Sequence, residues 1–250
     1  MQISASIITL NEERNLPRAL ASLADVADEV VVVDGGSTDG TRRTAERAGA
    51  RFIAHTWEGY AAQKTFSAAQ ARHDWVLSLD ADEALSPELA AELQQLKREG
   101  PNDAAGFTMP RLAQFRGRWI RHSGWYPDRK LRLYDRNRGR WVGDYVHESV
   151  AVDGPVATLD GPLHHFTCQS LSGHVRTMDR YTTLAARQAR EEGEGWAFLK
   201  LMLLPAWKFL ETYLFRQGFR DGPQGLAIAA MAGHYVCLKY KKLRQREQAG

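Results

Sequence analysis

The chain is poor in cysteine, has no long uninterrupted apolar run, and lacks any glycine-rich loop ending in Lys-Ser or Lys-Thr. Each shortage excludes a class. Cys168 and Cys237 stand far apart and match no metal spacing, which rules out a disulfide scaffold or a cysteine zinc site and fits two reduced thiols of a cytosolic protein. A membrane-crossing helix needs about 18 or more apolar residues free of charge, and none is present. Without the lysine-serine ending there is no P-loop. No secretory signal pattern opens the chain, since Met1 runs straight into a strand-like stretch. Internal repeats, low-complexity segments and nucleic-acid motifs are also missing, so nucleic acid is not an expected partner.

Charge is present in quantity but unevenly placed. Residues 1–100 hold 10 Lys/Arg against 16 Asp/Glu, residues 101–196 hold 14 against 11, and residues 197–250 hold 9 against 3. An acidic front can hold a metal, and a basic back can meet an anionic acceptor or membrane.

Hydrophobic patterning supplies the fold class. Ile3–Thr9, Glu29–Val33, Arg51–Ala54 and Trp75–Leu79 read as strands. Helices are expected after Asn11 (as cap), over Thr41–Ala48 and over Ala61–Ala71. Valine- and isoleucine-rich strands alternating with helices imply an α/β parallel sheet covered on both faces. Ligands bind such sheets at the carboxyl ends of the strands, where Asn11, Asp34 and Asp80 fall. Beyond about residue 105 the pattern becomes mixed, with strands at Phe107–Pro110, Lys130–Tyr134 and Val156–Leu159, and helices dominate from Leu171. Leu199, Met202, Leu203, Ala206, Leu210, Tyr213 and Leu214 recur at helical spacing, so Ala197–Phe215 is expected as an amphipathic helix.

Three short motifs carry chemistry. Leu79-Asp80-Ala81-Asp82-Glu83 follows a strand. Its two aspartates point the same way if the backbone stays extended, as a hard divalent cation requires. In Val33-Asp34-Gly35-Gly36-Ser37-Thr38-Asp39-Gly40-Thr41 the aspartates can accept from a base N–H or a ribose, though the same residues also make an ordinary capped turn. Lys64, in Gly59-Tyr60-Ala61-Ala62-Gln63-Lys64, can reach phosphate as a point charge.

Taken in order, Thr9-Leu10-Asn11-Glu12, VVDGGSTDGT, GYAAQK and LDADE resemble glycosyltransferase family 2, over about residues 1–165. The resemblance implies a GT-A (Rossmann-like) nucleotide-sugar-binding domain at 1–165 and leaves 166–250 as a helical region. It implies a UDP-sugar donor site of Thr9, Asn11, Glu12, Asp34, Lys64 and Asp80. Asp82 would be a direct ligand of a divalent metal (Mg2+ or Mn2+), with His165 of Leu163-His164-His165-Phe166 completing the set. Gly124-Trp125-Tyr126-Pro127, Trp141-Val142-Gly143-Asp144-Tyr145-Val146-His147-Glu148 and Gly218–Gly225 further resemble the bacterial subgroup that adds β-linked glucose to the lipopolysaccharide inner core.

An inverting transfer needs a carboxylate to take the proton of the attacking sugar hydroxyl. Glu148 is the expected base, with Asp144 left as its rival. The stretch from Arg111 to Arg140 carries ten Lys/Arg against two Asp, interleaved with aromatics that stack on sugar rings. Arg129, Arg132 and Trp125 are expected to meet an anionic glycolipid acceptor there. The helical region, ending in Lys239, Lys241, Lys242, Arg244 and Arg246, is expected to rest on the inner face of the bacterial cytoplasmic membrane. Alternatives are a polyprenyl-phosphate acceptor, a non-catalytic nucleotide-sugar-binding module, and a sugar-nucleotide pyrophosphorylase, whose glycine-rich signature is missing.

Overall fold

The computed structural model describes residues 1–143, 148–167, 171–192 and 194–248. Two compact units emerge. The first contains Met1–Leu112 with Asp128–Phe166, and the second Ala113–Pro127 with Thr167–Gly250.

The first unit is mixed α/β. Its elements run β1 (Ile3–Thr9), α1 (Leu16–Leu23), β2 (Glu29–Asp34), α2 (Thr41–Arg47), β3 (Arg51–Ala54), α3 (Tyr60–Ala69), β4 (Trp75–Asp80), β5 (Glu83–Leu85) and α4 (Pro87–Glu99), then β6 (Gly106–Phe115), whose last three residues belong to the second unit. β1 to β3 and β4 pair in parallel, and every residue of β1 is buried. That is why these strands read as continuous apolar runs rather than alternating ones. Ile3, Ile7, Leu16, Leu23, Leu77, Leu79, Leu89 and Leu93 fill the main core. Each such side chain contributes about 1.5–3 kcal/mol by leaving water.

Past β4 the sheet is mixed and mostly antiparallel. β8 (Asp128–Asp135) lies against β4, with Leu77 opposite Leu133, and β6 lies against β8. β11 (Val156–Thr158) pairs parallel with β6, and β12 (Leu163–Phe166) pairs antiparallel with β5. β9 (Gly139–Val142) and β10 (Ser149–Val152) form a separate hairpin. Gly161 lets the chain enter β12, since a Cβ there would stand 2.4 Å from the Leu89 amide nitrogen.

Two expectations are corrected. Helix α1 begins at Leu16 after Asn15, so Asn11 does not cap it. Asn11 instead sits at φ 57 and ties two loops together: its Oδ1 accepts from the Thr38 amide at 2.9 Å, and its own amide donates to Ser37 Oγ at 2.7 Å. The helix expected as one piece over Ala197–Phe215 is α6 (Ala197–Leu210), containing Pro205, followed by a π-helical turn over Glu211–Phe215.

The second unit comprises α5 (Leu171–Glu191), α6 with its π turn, a 3-10 turn at Gly218–Asp221 and α7 (Gly222–Gln248), together with β7 (Arg118–Trp119) paired to the end of β6. Residues 113–127 group with these helices because Phe115 and Ile120 pack with Ile228, while buried Asp221 accepts from the amides of Arg121 and His122 and from Ser123 Oγ. Among the described residues no helix is long and apolar enough to cross a membrane.

Candidate active site

Strand register brings the chemistry to one level. Thr9 stands opposite Asp34, and Ile8 opposite Asp80, so three neighbouring parallel strands end together. A cavity of ≈ 340 Å³ opens there, lined by Thr9, Glu12, Asp80, Asp82, Glu148 and His165 among others. A larger hollow of ≈ 790 Å³ lies against the start of β2 and the Arg47–Gly49 turn. It carries none of the expected site residues, and chemistry rather than size selects the smaller one.

Lys64 sits beneath this cavity. Helix α3 turns its polar face to the sheet, with Gln63, Lys64 and Ser67 all buried and Ser67 Oγ 2.6 Å from Ser6 Oγ. Lys64 is only 3% exposed, and its Nζ reaches Asp80 Oδ1 at 2.8 Å and Glu148 Oε1 at 3.0 Å. The Trp141 ring lies 4.8 Å from the ammonium, a cation–π contact, and donates its own N–H to the Tyr134 hydroxyl.

Asp80 is gripped from the other side by Arg132. The guanidinium is buried, 2.6 Å from Asp80 Oδ2 and 2.7 Å from Glu83 Oε1, while Glu83 Oε2 accepts from the Asp80 amide. Burial alone would raise the Asp80 pKa, but Arg132 and then Lys64 outweigh it and hold the carboxyl well below the usual range. Burial likewise opposes charge on Arg132, and Asp80 and Glu83 reverse that and raise its pKa.

The β5–β12 pairing sets Asp82 against His165. His165 is opposite Glu83, the Phe166 amide donates to the Asp82 carbonyl at 2.9 Å, and His165 Nε2 stands 3.3 Å from Asp82 Oδ2. Glu12 lines the same cavity. Burial first, and the charges of Asp82, Asp39 and Asp80, push its pKa above the usual carboxylate range, with a partial offset from the Asn15 amide group. Carboxylates that repel one another beside an imidazole are a donor set suited to a divalent cation. Among the described residues no group of three or more such side chains is placed to hold a cation on its own.

The other expected site residues have different surroundings. Asp34 is buried and accepts from Thr9 Oγ1, Ser37 Oγ and the Gly36 and Ser37 amides, so its carboxylate shapes its own loop, where Gly36 takes φ 104. Arg132, expected at the acceptor, is buried among the carboxylates just described. Arg129 is exposed on β8, bonded to the Leu159 carbonyl and 3.5 Å from Asp160. Trp125 belongs to the second unit. Asp144 lies outside the described residues, as do His147 and Cys168. The basic stretch is partly neutralised in place: Arg111 and Lys130 both pair with Asp128. Sequence reasoning missed Trp57 and Tyr60 as cavity walls. Their rings meet edge to face at 4.9 Å, and both are open to solvent, as a surface for stacking on a planar base requires.

Comparison with known proteins adds four findings. The family model described as Glycosyl transferase family 2 matches residues 4–153. The lipopolysaccharide core biosynthesis glycosyltransferase LpsC of Rhizobium meliloti is 35% identical over 98% of this chain and 93% of its own length. An uncharacterised glycosyltransferase of Rickettsia typhi is 30% identical over 98% and 87%. The crystal structure of Staphylococcus aureus TarS 1-349 in complex with UDP-GlcNAc covers 100% of this chain and 91% of its own at a TM-score of 0.50 and 16% identity, a likeness of fold.

Proposed function

The chain belongs to glycosyl transferase family 2, and on that premise we propose that it moves glucose from UDP-glucose to a sugar hydroxyl of a lipopolysaccharide core, with inversion. One observation carries the reading: Glu12, Asp80, Asp82, Glu148 and His165 converge on a single cavity at the carboxyl ends of the parallel strands. The kinship with LpsC over nearly the whole chain supports the lipopolysaccharide core as acceptor.

In the proposed reaction one ring of the Trp57–Tyr60 pair stacks against the uracil while the other ring walls its edge, and Lys64 and the loop set by Asn11 and Asp34 receive the nucleotide. Asp82 and His165 would hold a divalent cation, which supplies charge neutralisation for the departing diphosphate. Glu148 accepts the proton of the acceptor hydroxyl as its oxygen bonds to the anomeric carbon. The bond from that carbon to the diphosphate breaks on the opposite face, and UDP leaves. Arg132 fixes Asp80 rather than meeting the acceptor, which leaves Arg129 as the candidate acceptor contact on β8.

The second unit is read as membrane-facing. Trp196, Leu199, Met202, Leu203, Trp207, Leu210, Leu214 and Phe215 are all exposed, far more than scattered surface apolar residues. The tail cations contribute less than their number suggests, because Lys239 pairs with Glu194, Lys242 with Asp179, and Arg244 lies over Phe198.

The reading is tested with purified chain, UDP-glucose and core oligosaccharide taken from a strain deleted for the gene. Addition of a single hexose with release of UDP is the expected result, and the deletion strain's own core should be lighter by one hexose. A core of unchanged mass in that strain contradicts the acceptor assignment.

A further inference from the structure

The second unit contains a cavity of ≈ 660 Å³ that the transfer reaction does not use. Its walls are mainly apolar, built from Trp125, Ile228, Met231 and Tyr235. Among the described lining residues the only charged ones are Lys208 and Arg216, and none is acidic. Both cations lean on the same carboxylate: Glu211 is 2.9 Å from Lys208 and 2.8 Å from Arg216, so one positive charge remains in excess at the cavity. That size and make-up, an apolar hollow with a few polar groups, is the ordinary form of a small-molecule site, for which about 300–1,000 Å³ is typical. The helical segment that contributes Lys208 and Arg216 also presents Trp207, Leu210, Leu214 and Phe215 to solvent.

We infer that this cavity takes one acyl chain of an anionic membrane phospholipid, with the headgroup charge met by Lys208 and Arg216. The apolar walls recognise the chain through burial, and the excess cation selects anionic over neutral lipid. The inference rests on reading the second unit as lipid-facing and is independent of the transfer chemistry. It differs from surface adsorption in requiring a saturable internal site. That difference lets monomeric lipid, in the absence of any vesicle, test the cavity apart from membrane binding.

The test uses the full chain and labelled oleate in equilibrium dialysis, with uncharged oleyl alcohol as the comparison. About one oleate per chain should bind saturably, and oleyl alcohol should bind about five-fold more weakly for want of the charge-assisted contact. Ala232→Trp fills the cavity and should lower oleate affinity by about ten-fold or more. Should that variant fail to fold, Arg216→Gln changes a half-exposed cation and should abolish the preference for oleate over the alcohol. Chain recovered from mixed phosphatidylglycerol and phosphatidylcholine vesicles should retain phosphatidylglycerol in native mass spectrometry. Absence of saturable binding, equal affinity for oleate and oleyl alcohol, or equal retention of both phospholipids overturns the inference. So does a dimer in lipid-free buffer that excludes oleate, because a second copy would then be the occupant.

Discussion

Lys64 Nζ lies 3.0 Å from Glu148 Oε1, joining a helix residue to a carboxylate 84 positions later in the chain. The same ammonium holds Asp80 at 2.8 Å. A cation shared by two carboxylates in a nearly dry position has a natural competitor, the diphosphate of a nucleotide sugar, which brings more negative charge than either carboxylate alone. In the proposed reaction the arriving donor draws Lys64 toward phosphate and frees Glu148 to face the acceptor.

Lys64→Met should therefore damage binding and folding together. Donor affinity should fall by about ten-fold or more. Stability should drop by about 1–3 kcal/mol, as when a buried group loses its partner, with Arg132 still compensating Asp80. Nucleotide titration and urea unfolding measure the two effects. Unchanged donor affinity would remove Lys64 from the donor site.

Asp82→Ala should abolish turnover, and chelator-treated wild type should be equally inactive and recover with Mn2+ or Mg2+. His165→Ala should raise the metal concentration needed for half-maximal activity by about 10–100-fold. Full activity in excess chelator would contradict the cation site.

Arg132 ties buried Glu83 and the partly exposed Asp80 to the sheet, so its loss is a folding matter before it is a catalytic one. Arg132→Met leaves Glu83, 1% exposed, without its closest cation and should cost about 3–5 kcal/mol. The Arg132→Met/Glu83→Gln double variant should recover part of that loss. A double-mutant cycle by urea unfolding reads the coupling directly, and strictly additive losses would mean that the pair is not the unit described.

The second unit should loosen in acid. Glu194 accepts from Lys200, Lys239 and Tyr240, and Lys200 leads in holding its pKa down to about 2, against some opposition from burial. A carboxylate depressed on folding contributes stability that is fully present above its ordinary value of 4.5 and is lost as pH falls toward about 2. Hydrogen exchange across α6 and α7 should accelerate through that window in wild type. Glu194→Gln should exchange faster at neutral pH and respond less to acid. An identical pH response in both would show that the clamp is not the source.

The part of the fold legible in the sequence was the part buried on both faces. β1 and β3 match their apolar runs residue for residue, and β2 and β4 differ by one residue at their ends. Helix α4 went unread although Ser86 caps it, Pro87 opens it and Gly100 ends it at φ 89. The β5–β12 pairing joins residues some eighty positions apart, and no local pattern announces that His165 will lie against Asp82. The role of Arg132 was hidden for a related reason. A run of cations looks alike whether each side chain meets solvent or a buried carboxylate, and only the antiparallel placement of β8 beside β4 brings Arg132 to Asp80. Trp57 left a faint signal, a lone aromatic just before the Gly59-Tyr60 turn.

Whether Glu148 takes the acceptor proton is read most directly from Glu148→Gln, with donor binding and single-turnover transfer measured on the same preparation. Donor affinity should stay close to wild type and transfer should slow by at least about 10²-fold, the loss expected when a general base is removed. Transfer at the wild-type rate in Glu148→Gln, with the loss appearing in Asp144→Asn instead, would contradict the assignment of Glu148 as the base.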